Sequence, residues 1–519
     1  MNFIYNGSDL NQKTILGHPS GLYVLFFTEM WERFSYYGMR AILVLFLISS
    51  FTDGGWGWER SEALTLYGIY TGLVYITPIF GGLIADKVLG YRKAVIIGAF
   101  VMTLGHAAMA LEVFNDFFLY LGLICLIIGN GLFKPNISSI VGQLYKTEGQ
   151  DKDAGYTIFY MGINSGAFLG ILLCGYIGEN IGWHYGFGLA GVFMFLGMLQ
   201  FYYAQKIFGS IGIINKSNLS DDSSNNLSEI EDKVPSKIIV DRLLVIGIFS
   251  FCVIFFWWAF EQAGGSMTIF AADYTDRVLE GNGAFIFKIF NSVITVVPMI
   301  IISYIIYLLS LNIYSTYKLS SIFLISSFSI IWFIIIWMLT REFNNQSTEV
   351  PASWYGILNS FYIIVFAPLV SKIWQSKYNV SGPFKFGFGL ISLAIGFAIL
   401  AYGSISIPLG AKTASVSMIF LILAYFFHTM GELCVSPVGL SYVSKLAPKK
   451  LVGLMFGVWF VANFIANLAA GYTGSFIDPI VEVYGMSIFF LIFTIIPTIA
   501  GILMLIANKK IVKMMHGVI

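Results

Sequence analysis

The sequence predicts an all-α integral membrane protein with fourteen transmembrane helices. Three observations predict it. Apolar segments of bilayer length recur from Gly21 almost to the C-terminus; the 519 residues are 57% hydrophobic and only 11% charged, with a mean hydropathy of +0.80; and no segment alternates with period two. A soluble chain of this size needs far more charge to cover its surface. The missing alternation excludes a transmembrane β-barrel.

A hydrocarbon core about 30 Å thick is crossed by about 20 apolar residues in a helix. By that ruler the spans fall at 22–49, 63–84, 93–111, 117–140, 155–177, 185–206, 241–272, 285–310, 319–340, 353–371, 386–404, 415–444, 451–475 and 485–507. An even number leaves both ends on one side, and the basic residues say which. Of the Lys and Arg residues in the connections, 21 lie on the side that holds Lys13, Lys87, Arg92, Lys93 and Lys509, and 5 (Arg60, Arg277, Lys288, Arg341 and Lys412) on the other. Basic residues stay on the cytoplasmic side. The expected placement is therefore a cell membrane, multi-pass, with both termini cytoplasmic.

The domain reading follows from the same pass. Residues 1–20 form a polar tail without the basic start and short apolar core of a cleaved signal peptide. A six-helix bundle covers 21–208, and a linker rich in Ser, Asn and Asp covers 209–240. A C-terminal bundle covers 241–508 and includes an additional helix pair at about 285–340; a cytoplasmic tail covers 509–519. The net charge of +1 gives nucleic acid no support as a partner. Cys125, Cys174, Cys252 and Cys434 all sit in apolar segments without metal-ligand or disulfide spacing, so neither a metal nor another cofactor is expected.

Away from the span ends, seven charged residues remain inside the spans: Arg33, Arg40 and Lys134 against Glu29, Glu32, Glu261 and Glu432. A charge at the bilayer centre costs about 3 kcal/mol on insertion scales, so such residues face a protein interior or water and pair with one another. The first span concentrates them in Thr28-Glu29-Met30-Trp31-Glu32-Arg33-Phe34-Ser35-Tyr36-Tyr37-Gly38-Met39-Arg40. On a helix, Glu29, Glu32, Arg33, Tyr36, Tyr37 and Arg40 fall within an arc of about 140°. Glu29 and Arg33 are one turn apart, close enough to pair. A stripe carrying both signs and phenols suits a zwitterionic solute; the competing reading is an ion-pair cluster that only locks the bundle.

These residues carry a resemblance to the proton-dependent oligopeptide transporter family of the major facilitator superfamily. The motif E-x-x-E-R-F stands as Glu29-Met30-Trp31-Glu32-Arg33-Phe34. It is followed, in the family's order, by Gly81-Gly82-Leu83-Ile84-Ala85-Asp86-Lys87, Phe133-Lys134-Pro135-Asn136 and Phe159-Tyr160-Met161-Gly162-Ile163-Asn164-Ser165-Gly166. Trp258-Ala259-Phe260-Glu261-Gln262 and Gly431-Glu432-Leu433-Cys434-Val435-Ser436-Pro437 complete the set. The resemblance implies two six-helix bundles plus the extra pair, working as a monomer, and uptake of di- and tripeptides with protons by alternating access. It implies that Glu29, Glu32, Arg33 and Lys134 couple protons. Arg33 and Lys134 would meet the peptide carboxylate, and Glu432, with Asn164 and Asn359, its amino terminus. Tyr36, Tyr37, Tyr75, Ser436 and Trp459 would line the pocket, and Arg40 and Glu261 would form a gating ion pair. In bacterial relatives the extra pair lies between the bundles, whereas here it follows Glu261.

Other functions fit less well. A carrier of an anion such as nitrate would use Arg33 and Lys134 but make little use of Glu432; a carrier of another small zwitterion, such as an amino-acid derivative, is the other alternative. An enzyme is not expected, because the chain has no G-x-S-x-G, no H-E-x-x-H and no paired aspartates on facing spans. Gly162, Gly166 and Gly170 form a small-residue ladder that reads as close helix packing, with a hinge as the minority reading. His428, one turn before Glu432, reads as a hydrogen-bonded interior histidine more than as a proton relay.

Overall fold

The computed structural model describes residues 4–147, 149–214, 235–376, 379–448 and 451–518. Most of the expected 209–240 linker lies outside the described residues. Among the described residues there are fourteen long helices, and each expected span falls on one. They are α1 Ser20–Ile48, α2 Arg60–Ile84, α3 Tyr91–Ala110, α4 Phe117–Gln143, α5 Gln150–Asn180, α6 Trp183–Ala204 and α7 Ser236–Phe260. After them come α8 Gly281–Ile313, α9 Lys318–Asn344, α10 Ile357–Gln375, α11 Gly382–Gly403, α12 Ile419–Leu446, α13 Val452–Gly474 and α14 Met486–Met514. Boundaries shift at the ends: α7 starts at Ser236 rather than 241, and α14 runs on into the expected C-terminal tail.

Helices dominate because lipid offers the backbone no hydrogen-bond partners, and a helix satisfies its own. Thirteen of the described helices are long and apolar enough to cross a bilayer. The first, α1, is long enough at 29 residues but is interrupted by Glu29, Glu32, Arg33 and Arg40. The strands are pairs of two residues, such as Thr14–Ile15 against His18–Pro19 ahead of α1.

The chain divides into two compact units. One comprises Met1–Phe46, Phe80–Ile214 and Arg277–Ile357. Within it α1 is clamped by α5, whose glycine ladder faces the α1 backbone. A Cβ on Gly162 would lie 3.0 Å from the Phe26 carbonyl oxygen. One on Gly166 would strike the Met30 carbonyl, and one on Gly170 the Phe34 carbonyl. The repeat of contacts every four residues on both helices marks close packing, the expected reading, and it fixes the rotation of α1. On the opposite side Trp31 stacks on Phe193 of α6 at 5.2 Å between ring centroids and meets Phe328 of α9 at 5.1 Å.

The helix pair α8–α9, expected with the C-terminal bundle, clusters with this first unit. The Ser320 hydroxyl donates to the Gln200 carbonyl at 2.8 Å, and the Tyr176 hydroxyl donates to Glu342 at 2.9 Å. The segment that leads from α9 to α10 is also held there. Glu179, at the end of α5, accepts from the Ala352 and Ser353 amides at 2.7 and 2.9 Å.

The other unit comprises Leu47–Ile79, Asn215–Asp276 and Leu358–Ile519. Residues 60–79 of α2, expected with the first bundle, cluster here because a glycine faces a glycine: a Cβ on Gly68 would lie 2.6 Å from the Gly471 Cα of α13. Such small-on-small contacts let backbones approach where lipid provides no hydrophobic drive. Similar contacts join α11 to α12, where a Cβ on Gly389 would lie 2.8 Å from the Gly431 carbonyl oxygen.

Candidate functional site

In the first unit the charges of α1 are turned inward and paired. Glu29, Glu32 and Arg33 are 1%, 0% and 5% exposed, which rules out a lipid-facing stripe. Arg33 Nε donates to Glu29 Oε1 at 2.7 Å and lies 3.1 Å from Glu32 Oε2. One guanidinium thus bridges two carboxylates, the only cheap arrangement for ionised groups out of water. Tyr36 and Tyr37 continue the stripe with ring centroids 5.1 Å apart, and the Arg40 guanidinium lies 6.0 Å from the Tyr37 ring centre.

Opposite α1, α4 brings Asn130 and Lys134, one turn apart. Asn130 Nδ2 donates to Glu32 Oε1 at 2.7 Å, and the positive charge of Lys134 acts on the same carboxylate. Pro135 removes the N–H that would otherwise bond the Gly131 carbonyl. That carbonyl is the group against which a Cβ on Gly81 of α2 would strike, and Asn136 Nδ2 donates to the Gly81 carbonyl at 3.4 Å. Two sequence motifs therefore meet here, and their contact fixes α4 beside the α1 charges. Asn164 of α5 is buried and donates to the Tyr160 carbonyl of its own helix at 3.0 Å.

In the second unit Glu432 of α12 is half-buried and accepts from Asn359 Nδ2 of α10 at 2.8 Å. The same amide lies 3.2 Å from the Thr429 hydroxyl oxygen, one turn before Glu432. Ser436, one turn further on, has a buried hydroxyl without a hydrogen-bond partner. Beside it Trp459 of α13 lays its ring on Gly439, where a Cβ would collide with it. Glu261, 3% exposed, ends α7, and its charge acts on Glu432. Tyr75 of α2 is half-buried in this unit. His428 is 1% exposed with its ring 4.4 Å from that of Phe397, so it packs in the interior.

Sequence reasoning missed three parts. Asn130 and Thr429 each lie one turn from a charged residue that it did find, which is the signal that could have exposed them. Arg60, counted only as a connecting residue, binds Asp273 at 2.6 Å, Asp478 at 2.8 Å and the Tyr274 hydroxyl at 3.2 Å. Its partners are more than 200 positions away, beyond the reach of any local pattern.

Comparison with known proteins bears on the same features. The sequence profile described as the POT family matches residues 92–242 and 324–488. A peptide transporter of Yersinia enterocolitica is 31% identical, with 89% of this chain and 88% of the relative covered. A di-/tripeptide transporter of Lactococcus lactis subsp. cremoris is 31% identical, with 98% of each chain covered. Among solved structures, the peptide transporter POT in complex with sulfate matches with a TM-score of 0.73 at 28% identity over 97% of each chain. A POT family transporter in complex with 5-aminolevulinic acid matches with a TM-score of 0.73 at 26% identity, over 96% of this chain and 98% of that one. The expected fold class, an all-α membrane protein of the major facilitator type, is the fold of these transporters. With its profile matched on both sides of α7 and α8 and its relatives aligned along almost its whole length, this multi-pass membrane protein belongs to the POT family, the proton-dependent oligopeptide transporters.

Proposed function

We propose that this chain imports di- and tripeptides together with protons by alternating access. The observation that carries the reading is the buried Glu29–Arg33–Glu32 cluster with Asn130 and Lys134 beside it. Ion pairing that only locks a bundle is served by separate pairs, each cation on its own carboxylate. Here two carboxylates share Arg33, and a second cation stands next to one of them, so a proton on either glutamate changes what the cations can bind.

Each residue then has a role. With Glu29 or Glu32 protonated, Arg33 and Lys134 are released to hold the peptide carboxylate; loss of the proton restores the pairs and expels the ligand. Glu432, oriented by Asn359, takes the amino terminus, with Asn164 and Ser436 as further polar contacts. Tyr36, Tyr37, Tyr75 and Trp459 supply aromatic walls that tolerate varied side chains. Arg40 and Glu261 act as a gating pair, and the Arg60 cluster closes the outer end. The excess of basic residues in one set of connections supports cytoplasmic termini and a cell membrane location, and a single chain suffices for transport. The names of the Yersinia and Lactococcus relatives support peptide as the substrate. The complex of a related transporter with 5-aminolevulinic acid favours a second reading, a carrier of small amino-acid derivatives.

The test is uptake into proteoliposomes under an imposed proton gradient. Labelled di- and tripeptides should accumulate, and excess unlabelled dipeptide should compete while nitrate does not. Accumulation of 5-aminolevulinic acid without that of dipeptides would favour the second reading. Full proton-driven uptake by Lys134→Ala would sink the coupling scheme.

A further inference from the structure

We infer that Asn130 is a positioning residue for proton coupling: it holds Glu32 by a hydrogen bond in both the ionised and the protonated state. The inference rests on the proposed proton-coupled reading and adds a residue to it.

The geometry distinguishes Asn130 from the other groups around Glu32. Arg33 and Lys134 can only donate, so each favours the ionised carboxylate and has nothing to offer its O–H. A side-chain amide carries both functions. Asn130 Nδ2 donates to Glu32 Oε1 at 2.7 Å, while Asn130 Oδ1 is buried without a hydrogen-bond partner, in a residue 1% exposed. A buried, unpaired carbonyl oxygen is costly and needs a reason. A half-turn of the amide plane exchanges Oδ1 for Nδ2, and Oδ1 then accepts the O–H of a protonated Glu32. The proton comes from the medium and leaves to it, and no other bond changes.

The placement of Asn130 supports this role. The α4 turn that carries it also carries Lys134, and it is fixed by the backbone approach of Gly81 to Gly131, the residue next to Asn130. Glu32 therefore meets one partner that can bond it in either charge state and two that demand its charge. When Arg33 and Lys134 turn to a ligand, the amide still holds the carboxyl group in place.

The experiment compares wild type, Asn130→Leu and Asn130→Thr in proteoliposomes, using labelled dialanine. Gradient-driven uptake and counterflow, which needs no net proton movement, are measured between pH 5 and 8. The leucine variant should keep counterflow within about twofold of wild type, lose gradient-driven uptake about tenfold, and move its pH–uptake profile by about half a unit to the alkaline side, since a hydrogen bond to the ionised form is the stronger one lost. Threonine, which can donate and accept, should restore most of the driven uptake. Wild-type driven uptake and pH profile in the leucine variant would overturn the inference. So would equal loss of counterflow and driven uptake in a leucine variant that remains monodisperse, or a threonine variant no better than leucine. Wild type that shows no gradient dependence would instead remove the proton-coupled reading itself.

Discussion

Asn359 of α10 donates to Glu432 of α12 at 2.8 Å, tying two helices of one unit through the carboxylate proposed to take the peptide amine. The amide fixes one carboxylate oxygen and leaves the other for a ligand. In Asn359→Ala the carboxylate would lose its orientation, and the affinity for free dipeptides should fall about tenfold, the cost of one charge-assisted hydrogen bond. Thr429→Val should change it little, since the Thr429 hydroxyl donates to the Tyr425 carbonyl at 2.7 Å rather than to Glu432. Competition in counterflow measures both, and an N-acetylated dipeptide is the control. If Glu432→Gln weakened blocked and free peptides equally, the assignment of the amine to Glu432 would be wrong.

Arg33→Lys preserves charge and should still fail. The Arg33 Nε atom reaches Glu29 at 2.7 Å and Glu32 at 3.1 Å at once, with the rest of the guanidinium extending beyond. A lysine carries a compact ammonium without that planar fork, so it cannot hold both carboxylates at one nitrogen and extend two further nitrogens beyond them. Gradient-driven dipeptide uptake should drop at least about tenfold, with folding preserved by the retained charge. A monodisperse Arg33→Lys protein with wild-type driven uptake would contradict the bridging role.

How much of this was legible in the sequence depends on the range of each interaction. The fourteen helices were legible because lipid sets a minimum length and an apolar composition for a span, and α1 keeps that length despite its four charges. The Glu29–Arg33 pair was legible because it lies within one helix turn. The partners of Glu32 and Glu432 were half legible: Lys134 stands in a motif and Asn359 was implied by the resemblance, whereas Asn130 and Thr429 are uncharged polar residues that neither picked out. The grouping of α8–α9 with the first unit was not legible. It depends on Trp31 meeting Phe328 and on Ser320 reaching the Gln200 carbonyl, contacts between residues far apart in the chain that share no spacing rule. The Arg60 cluster was hidden for the same reason.

Adjacent glycines in one motif should respond in opposite ways. A Cβ at Gly81 would strike the Gly131 carbonyl, whereas one at Gly82 would meet nothing within 4 Å. Gly81→Ala must push α2 off α4 and should lower the melting temperature by several degrees and cut uptake severely. Gly82→Ala should be neutral or slightly stabilising, by about 0.5–1 kcal/mol of helix preference. Thermal denaturation in detergent decides between them, and equal effects at both positions would refute the close approach.

Arg60→Ala should loosen its own cluster rather than the proposed substrate site. It removes partners from Asp273 and Asp478, which are 29% and 37% exposed in their side chains, so water can take up part of the loss. The expected result is a modest fall in thermal stability, with dipeptide affinity within about twofold of wild type and faster labelling of a cysteine placed at Ser475. Unchanged labelling would show that the cluster does not hold that end closed.

The N-terminal segment gives a pH-dependent prediction outside the membrane. His18 Nδ1 is 2.8 Å from the Tyr145 hydroxyl, and the segment is further held by the Asn6 amide donating to the Leu144 carbonyl at 3.0 Å and by the Ser8 amide donating to that of Ile207 at 3.0 Å. Burial lowers the His18 pKa below its ordinary value, against a smaller opposing pull from Asp151. The docked segment thus prefers neutral histidine, while the undocked one titrates near the ordinary value of about 6.5. Below that pH the undocked form binds a proton that the docked form refuses, so docking weakens as pH falls and levels off above it. Hydrogen exchange of residues 5–19, corrected for intrinsic rates, should be about threefold faster at pH 5.5 than at pH 7.5. In His18→Phe, which packs but does not titrate, that difference should vanish. A pH difference that survives the substitution would place the titrating group elsewhere.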